Sequence, residues 1–275
     1  VADLRSIVRN FAIDRGYYVS RSTPADDVRR LLARLAPVTT SVPLIRMGGA
    51  ADGGYLVPDD FDGIVACFSP GVDQISEFEG AVAARGIPCF LADASVDGPA
   101  ENNPLFDFEK KFLGAVDGGQ TVRLDTWVND KMPGPGDLLL QIDIEGHEWP
   151  VLLSTPVDVL ARFRVIVLEI HGLPDAFNPT AFVALDSAIQ LLGSLFHVVH
   201  AHPNNALPAV NLAGMDIPSF VEVTLLRKDR ADVLGMAAGF PHPLDATNVA
   251  SLPDYVLPAS MQASAARATG GSDRI

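Results

Sequence analysis

Four ionisable residues, Asp143, Glu145, His147 and Glu148, crowd the positions that follow the apolar run Leu138–Ile142. Such a run reads as a buried strand, and in open α/β sheets ligands bind just beyond the carboxyl ends of strands. A buried strand also holds its last residues still, as a reactive site requires. The same residues suit a plainer role, in which Asp143 or Glu145 caps the next helix and complements its dipole. This stretch alone leaves both readings open.

Two more candidate strands end on similar groups, at Glu169-Ile170-His171 and at His200-Ala201-His202-Pro203-Asn204-Asn205. Four of the six histidines, His147, His171, His200 and His202, are placed in this way. Carboxylates with imidazoles suit a divalent transition metal, whereas carboxylates, amides and water suit magnesium. Alternatively, one histidine serves as a general base near neutral pH. His200 also reads as a satisfied core residue and His147 as a solvated helix position, while His197 and His242 are given no role.

A third constellation is a candidate nucleoside site. Gly71 lies in the turn after the run Ile64–Phe68, and Asp93 ends the next apolar run, Ile87–Leu91, 22 positions later. A glycine in the first strand–helix turn admits a ligand, and an acid about 20 residues on accepts ribose hydroxyls. An ordinary α/β turn with a surface Asp explains the same residues. Asp52-Gly53-Gly54-Tyr55 is first of all a turn or hairpin signal, and a backbone free of Cβ atoms also approaches ligands closely.

The elements that must position these groups follow from periodicity. Residues 1–36 read as helical, with Thr23 as N-cap, Pro24 at the first helical position, and Val28, Leu31, Leu32 and Leu35 on one face. Strands are expected at Ile64–Phe68, Ile87–Leu91, Leu138–Ile142, Arg164–Ile170, Phe196–His200 and Phe220–Leu226. A less distinct unit lies between Phe106 and Asn129, and helices are expected at Ile75–Arg85 and Pro179–Leu192. Strands alternating with helices imply a mostly parallel sheet covered on both faces. The expected organisation is an N-terminal helical cap (1–44), a main α/β domain (45–260) and a flexible Pro/Ala/Ser-rich tail (261–275).

Composition narrows the setting. The 275 residues are 48% hydrophobic and carry a formal net charge of −14. So acidic a surface repels phosphate backbones and argues against nucleic acid as a partner. Cys67 and Cys89 sit in apolar runs, give neither a disulfide framework nor a zinc spacing, and fit a reducing cytoplasm. No run reaches the roughly 18–20 apolar residues of a membrane span. The N-terminus shows no signal-peptide core, and its lack of an initiator Met suggests a trimmed or excised segment.

Several of these stretches resemble one family, the FkbM-like methyltransferases. Gln141-Ile142-Asp143-Ile144-Glu145-Gly146-His147-Glu148 is similar to the family's D-[VI]-E-G-x-E signature, and Leu168-Glu169-Ile170-His171 to its next strand. Asp52–Tyr55 and His200–Asn205 resemble the Asp-Gly-Gly-Tyr and His-x-His-x-Asn-Asn elements of a subgroup. Together these stretches span roughly residues 45–228. Typical members open with a V-D-x-G-A-N-x-G loop. Here Cys67-Phe68-Ser69-Pro70-Gly71-Val72-Asp73 takes its place, without the first acid or the later glycine.

The resemblance implies a Rossmann-like methyltransferase fold with a seven-stranded, mostly parallel sheet. It also implies S-adenosylmethionine as cofactor and O-methylation of a small polar acceptor such as a sugar or natural product. Ser69, Gly71 and Asp73 would line the methionine and ribose side, Asp93 would hold the ribose hydroxyls, and the loop with Asp52, Gly53 and Tyr55 would close over cofactor or acceptor. The acceptor hydroxyl must lose its proton or be polarised. Asp143, His171 and His202 are the expected catalytic groups, and Asp143, Glu169 and His200 the expected ligands of Mg2+ or Mn2+. A homo-oligomer is compatible with this reading. Two alternatives are a metal-dependent hydrolase built on the same acids and histidines, and a catalytically silent nucleoside-binding module.

Overall fold

A computed structural model describes residues 4–17 and 19–262. Nearly all of the expected tail, from residue 263 on, lies outside the described residues.

The centre is one seven-stranded sheet. Its strands are β1 (Ile64–Pro70), β2 (Cys89–Ala92), β3 (Phe106–Glu109), β4 (Asp137–Ile142), β5 (Phe163–His171), β6 (Phe196–Asn204) and β7 (Phe220–Arg227). Their spatial order is β6-β7-β5-β4-β1-β2-β3. Pairing is parallel from β3 through β5, while β7 runs antiparallel to both β5 and β6. The order reverses between β1 and β4, which makes their carboxyl ends the topological switch point where ligands bind in such sheets. The architecture is the Rossmann-like arrangement that the resemblance implies.

Burial on both faces explains why the central strands read as continuous apolar runs. Leu138, Leu139, Leu140 and Ile142 of β4 are all fully buried. One face carries α2 (Ala25–Ala33), α4 (Leu124–Lys131), α5 (Glu148–Ser154), α6 (Val157–Leu160) and α7 (Pro179–Leu195). The other is covered by α3 (Glu77–Ala83) and a hairpin of Leu44–Met47 with Tyr55–Pro58, the turn signal at Asp52-Gly53-Gly54 having formed its loop. Helix α1 spans Leu4–Ile13.

Two local expectations are corrected. Thr23 does not cap α2: Pro24 holds the N-cap position without a side-chain bond, and Thr23 is buried with its amide donating to the Phe177 carbonyl. The indistinct third unit resolves into the short edge strand β3, a parallel pair of Phe112–Leu113 with Thr121–Val122, and α4. Edge strands are short and mixed in polarity, which is why Phe106-Asp107-Phe108-Glu109 gave so weak a periodic signal. Cys67 and Cys89 are register partners on β1 and β2, both free and fully buried, as small hydrophobes.

Candidate active site

A cleft of about 920 Å³ opens at the switch point. Its floor is made where the loops after β1 and β4 touch. Gly71 stands at φ +82°, and a Cβ there would lie 1.6 Å from the Asp143 carbonyl oxygen, so only glycine lets the two loops meet. The volume matches that of sites for drug-sized ligands.

One side of the cleft gathers the expected nucleoside residues. Asp93 ends β2, and its carboxylate is fixed by three donors: the Ser95 amide (2.7 Å) and hydroxyl (2.6 Å) on Oδ1, and the Asp73 amide (3.1 Å) on Oδ2. Gly71, Asp73 and Asp93 all line the cleft. Across from them, Asp52, Gly53 and Tyr55 line it from the hairpin loop, which rests on α3's approach with Gly53 against Ile75.

Ser69 is placed differently from expectation. It is fully buried on β1 behind the cleft wall and bonds to Glu79 and to Gln141 Oε1 (2.6 Å). Glu79 and Gln141 do line the cleft, and Gln141 reaches Tyr55 at 3.4 Å. The acid absent from the β1 loop thus has a counterpart supplied by α3. Burial pushes the Glu79 carboxyl up, against the hydrogen bond that the Ser69 hydroxyl donates to it.

Asp143 lines the other side, at the end of β4. Burial raises its pKa to about 6, against the hydrogen bond from Glu169 and the charge of His171. Glu169, buried on β5 and facing the charge of Asp143, is raised to about 10. Burial together with the mutual repulsion of the two carboxyls thus favours one proton held between them. Asp143 Oδ1 is buried with no hydrogen-bond partner. His171 Nε2 stands 3.8 Å from that oxygen and 3.5 Å from Glu145 Oε2, while its Nδ1 is bonded to Glu148 Oε1 at 3.0 Å. Burial lowers the His171 pKa, but the hydrogen bond and charge of Glu148 outweigh it and raise it overall.

Glu148 is the residue whose role the sequence concealed. It is fully buried, and the same Oε1 accepts from the amides of Ile144 (3.2 Å) and Gly146 (3.1 Å). That wrapping fixes the loop between them, in which Glu145 takes the unusual φ of +56° and projects over the cleft.

His200 and His202 do not reach Asp143. β7 and β5 stand between β6 and β4, so three strand spacings, about 14 Å, separate them. His200 Nε2 bonds Asp245 at 2.8 Å and His202 Nδ1 lies 3.3 Å from the same carboxylate. Burial opposes ionisation of Asp245, but the bonds from both imidazoles hold its pKa well below the usual carboxylate range. Asn204 donates to Glu169 (3.1 Å), and Asn205 bonds the backbone of Val249, Leu252 and Pro253. The His-x-His-x-Asn-Asn stretch thus braces the segment 245–254 and the acid behind Asp143. The expected ion set of Asp143, Glu169 and His200 does not converge. Among the described residues, the one group close enough to share an ion is Asp143, Glu145 and His171.

Residues 95–213 match a family model described as the Methyltransferase FkbM domain. The resemblance read from the sequence is matched over that stretch, which contains Asp143, Glu169, His171, His200 and His202. No curated protein matches the chain. One solved structure that it is similar to, titled "Crystal Structure of EvdMO1", shares 12% identity over 81% of this chain and 47% of that one, with a TM-score of 0.28. This chain therefore spans about half the length of that one (47%). No helix among the described residues is long and apolar enough to cross a membrane.

Proposed function

We propose that the chain is an S-adenosylmethionine-dependent O-methyltransferase that acts on a hydroxyl of a small polar acceptor, a sugar or natural product, in a reducing compartment such as the cytoplasm. The observation that carries this reading is the single cleft that joins Gly71, Asp73 and Asp93 on one side to Asp143 on the other.

The residues present fit the cofactor. Acids line the cleft and, among the described residues, neither Lys nor Arg does, which suits a ligand bearing a sulfonium and an ammonium. Gly71 leaves the backbone bare, and Asp93, already fixed by Ser95 and Asp73, keeps acceptor capacity on Oδ2 for a ribose hydroxyl. When bound, the cofactor supplies a methyl group on an electrophilic sulfonium. The chain's own task is alignment, since holding two reactants in line accounts for much of such a rate enhancement. Asp143, which lines the cleft at the end of β4, accepts from the acceptor hydroxyl and orients its oxygen. Tyr55, Asp52 and Gly53 close the opposite wall and exclude water.

Calorimetric titration with S-adenosylhomocysteine tests the reading. Micromolar binding is expected, weakened about 10–100-fold in Asp93→Ala, the range for charged hydrogen bonds of about 1.5–3 kcal/mol. Absence of binding by the wild-type chain would sink the reading in favour of a silent module or a hydrolase.

A further inference from the structure

We infer that Asp143, Glu145 and His171 form a divalent-cation site at the acceptor side of the cleft, with Glu148 as the residue that orients its imidazole. The inference deepens the methyltransferase reading and rests on it only for the ion's use, not for its binding.

The geometry argues as follows. His171 Nε2 lies 3.5 Å from Glu145 Oε2 and 3.8 Å from Asp143 Oδ1. Both separations exceed those of hydrogen bonds, which peak near 2.9–3.0 Å for nitrogen donors. Ligand atoms about 2.1 Å from a shared ion stand roughly 3.0–3.5 Å apart, so small side-chain rotations bring all three into one coordination sphere. The three ligand atoms already lie within 4.8 Å of one another.

Two independent features point at a ligand. The His171 side chain is only 10% exposed, and its Nε2, 3.5 Å from Glu145 Oε2 and 3.8 Å from Asp143 Oδ1, forms no hydrogen bond among the described residues. Asp143 Oδ1, facing it, is buried and equally unpartnered. Behind the ring, Glu148 binds Nδ1 at 3.0 Å from a fully buried position. An imidazole whose far nitrogen is tied to a carboxylate presents the other nitrogen's lone pair in a fixed direction, the arrangement that supports metal-ligating histidines. Phe220 packs against the ring at a 60° tilt, with centroids 4.9 Å apart, and limits its rotation. Glu148 also shapes the loop that carries Glu145, so one buried carboxylate sets two of the three ligands.

One nitrogen and two carboxylate oxygens favour a borderline cation such as Mn2+, Zn2+ or Co2+ over Ca2+. Because Asp143 and Glu145 line the cleft, the open coordination positions face the acceptor. An ion held there would polarise the acceptor hydroxyl, with Asp143 among the residues that hold it.

The test is titration of the chelator-treated full chain with Mn2+, free ion being followed by electron paramagnetic resonance, alongside S-adenosylhomocysteine calorimetry. One site per chain is expected. Its affinity should fall at least tenfold in His171→Ala and in Glu145→Ala, the latter an exposed position that leaves folding intact, and about 10–100-fold in Glu148→Gln. Retained S-adenosylhomocysteine affinity in the variants shows that the fold survives. Absence of a stoichiometric site for Mn2+, Zn2+ or Co2+ in the wild-type chain overturns the inference. So does a site indifferent to His171→Ala and Glu145→Ala. An ion bound by a chain that fails to bind S-adenosylhomocysteine supports the cation site while refuting the methyltransferase reading.

Discussion

Asp143 lies at the switch point beside both His171 and Glu169, and under the proposed function it is the group that positions the acceptor hydroxyl. Asp143→Ala should lower turnover about 10²–10⁴-fold, the range for loss of a positioned acid–base group. Affinity for S-adenosylhomocysteine should stay within a few-fold of wild type, since Asp93 and Gly71 are untouched. Steady-state kinetics with a calorimetric control checks both; unchanged turnover would remove Asp143 from the mechanism. At this scale much was legible. Asp143, Asp93, Gly71 and Tyr55 sit at the cleft where residue type and spacing suggested. Ser69, His200 and His202 were equally suggestive in type, yet they are engaged by Glu79 and Asp245. Residue type states what a group can do, whereas its neighbours decide whether it is free to do it. Glu148 gave the opposite case: in the sequence it is one of four crowded acids and imidazoles, and only the direction of its buried carboxylate shows that it holds His171 and the Glu145 loop.

Among the elements, the loops after β1 and β4 carry the strictest constraint. Gly71→Ala would drive a Cβ into the Asp143 carbonyl at a φ of +82°. Strain of about 1–3 kcal/mol, with the clash in addition, should lower the melting temperature by roughly 5–10 °C at about 2–4 °C per kcal/mol. A thermal melt showing less than 2 °C of change would mean that the loops can separate, and that the floor of the cleft is soft. Helix α2 provides a second check. Leu31 is fully buried with the main core, so Leu31→Ala should destabilise the whole domain by about 2–5 kcal/mol in urea unfolding. Half-exposed Val8 of α1 should tolerate Ala within about 0.5 kcal/mol. A small Leu31 effect would favour a detachable cap over an integral helix. Element types followed well from periodicity, because apolar runs of five to seven residues buried on two faces have few alternatives. Boundaries followed less well: β6 extends to Asn204, four residues past its apolar signal, because Pro203 and Asn204 are carried along by pairing with β7.

The whole molecule is acidic outside and stores unusual acidity within. Glu169 and Glu222 are register partners on β5 and β7, and Glu222 in turn faces His202 on β6. Burial raises Glu222 to about 7, with the charges of Asp52 adding to it and those of His202 and Arg46, together with the Asn248 hydrogen bond, opposing it. Its folded-state pKa thus lies above the unfolded value near 4.5, so the folded chain holds that proton longer. The contribution to stability is fully present below pH about 4.5, is lost as pH rises towards 7, and amounts to roughly 3 kcal/mol at most. Glu222→Gln should accordingly gain stability relative to wild type at pH 8 and show little difference at pH 4.5 in denaturant titrations. A difference independent of pH would mean that Glu222 is not protonated in the fold.

The sequence by itself determined the alternation of strands and helices, six of the seven strands of the sheet, the turn at Asp52–Gly54 and the acids that end β2, β4 and β5. All of these depend on neighbours within a few residues, where periodicity and composition act directly. The tertiary structure decided which of those ends meet. Insertion of antiparallel β7 between β5 and β6 carries His200 and His202 away from Asp143 and leaves His171 beside it. That choice depends on packing among segments tens of residues apart, and no local pattern in the chain records it.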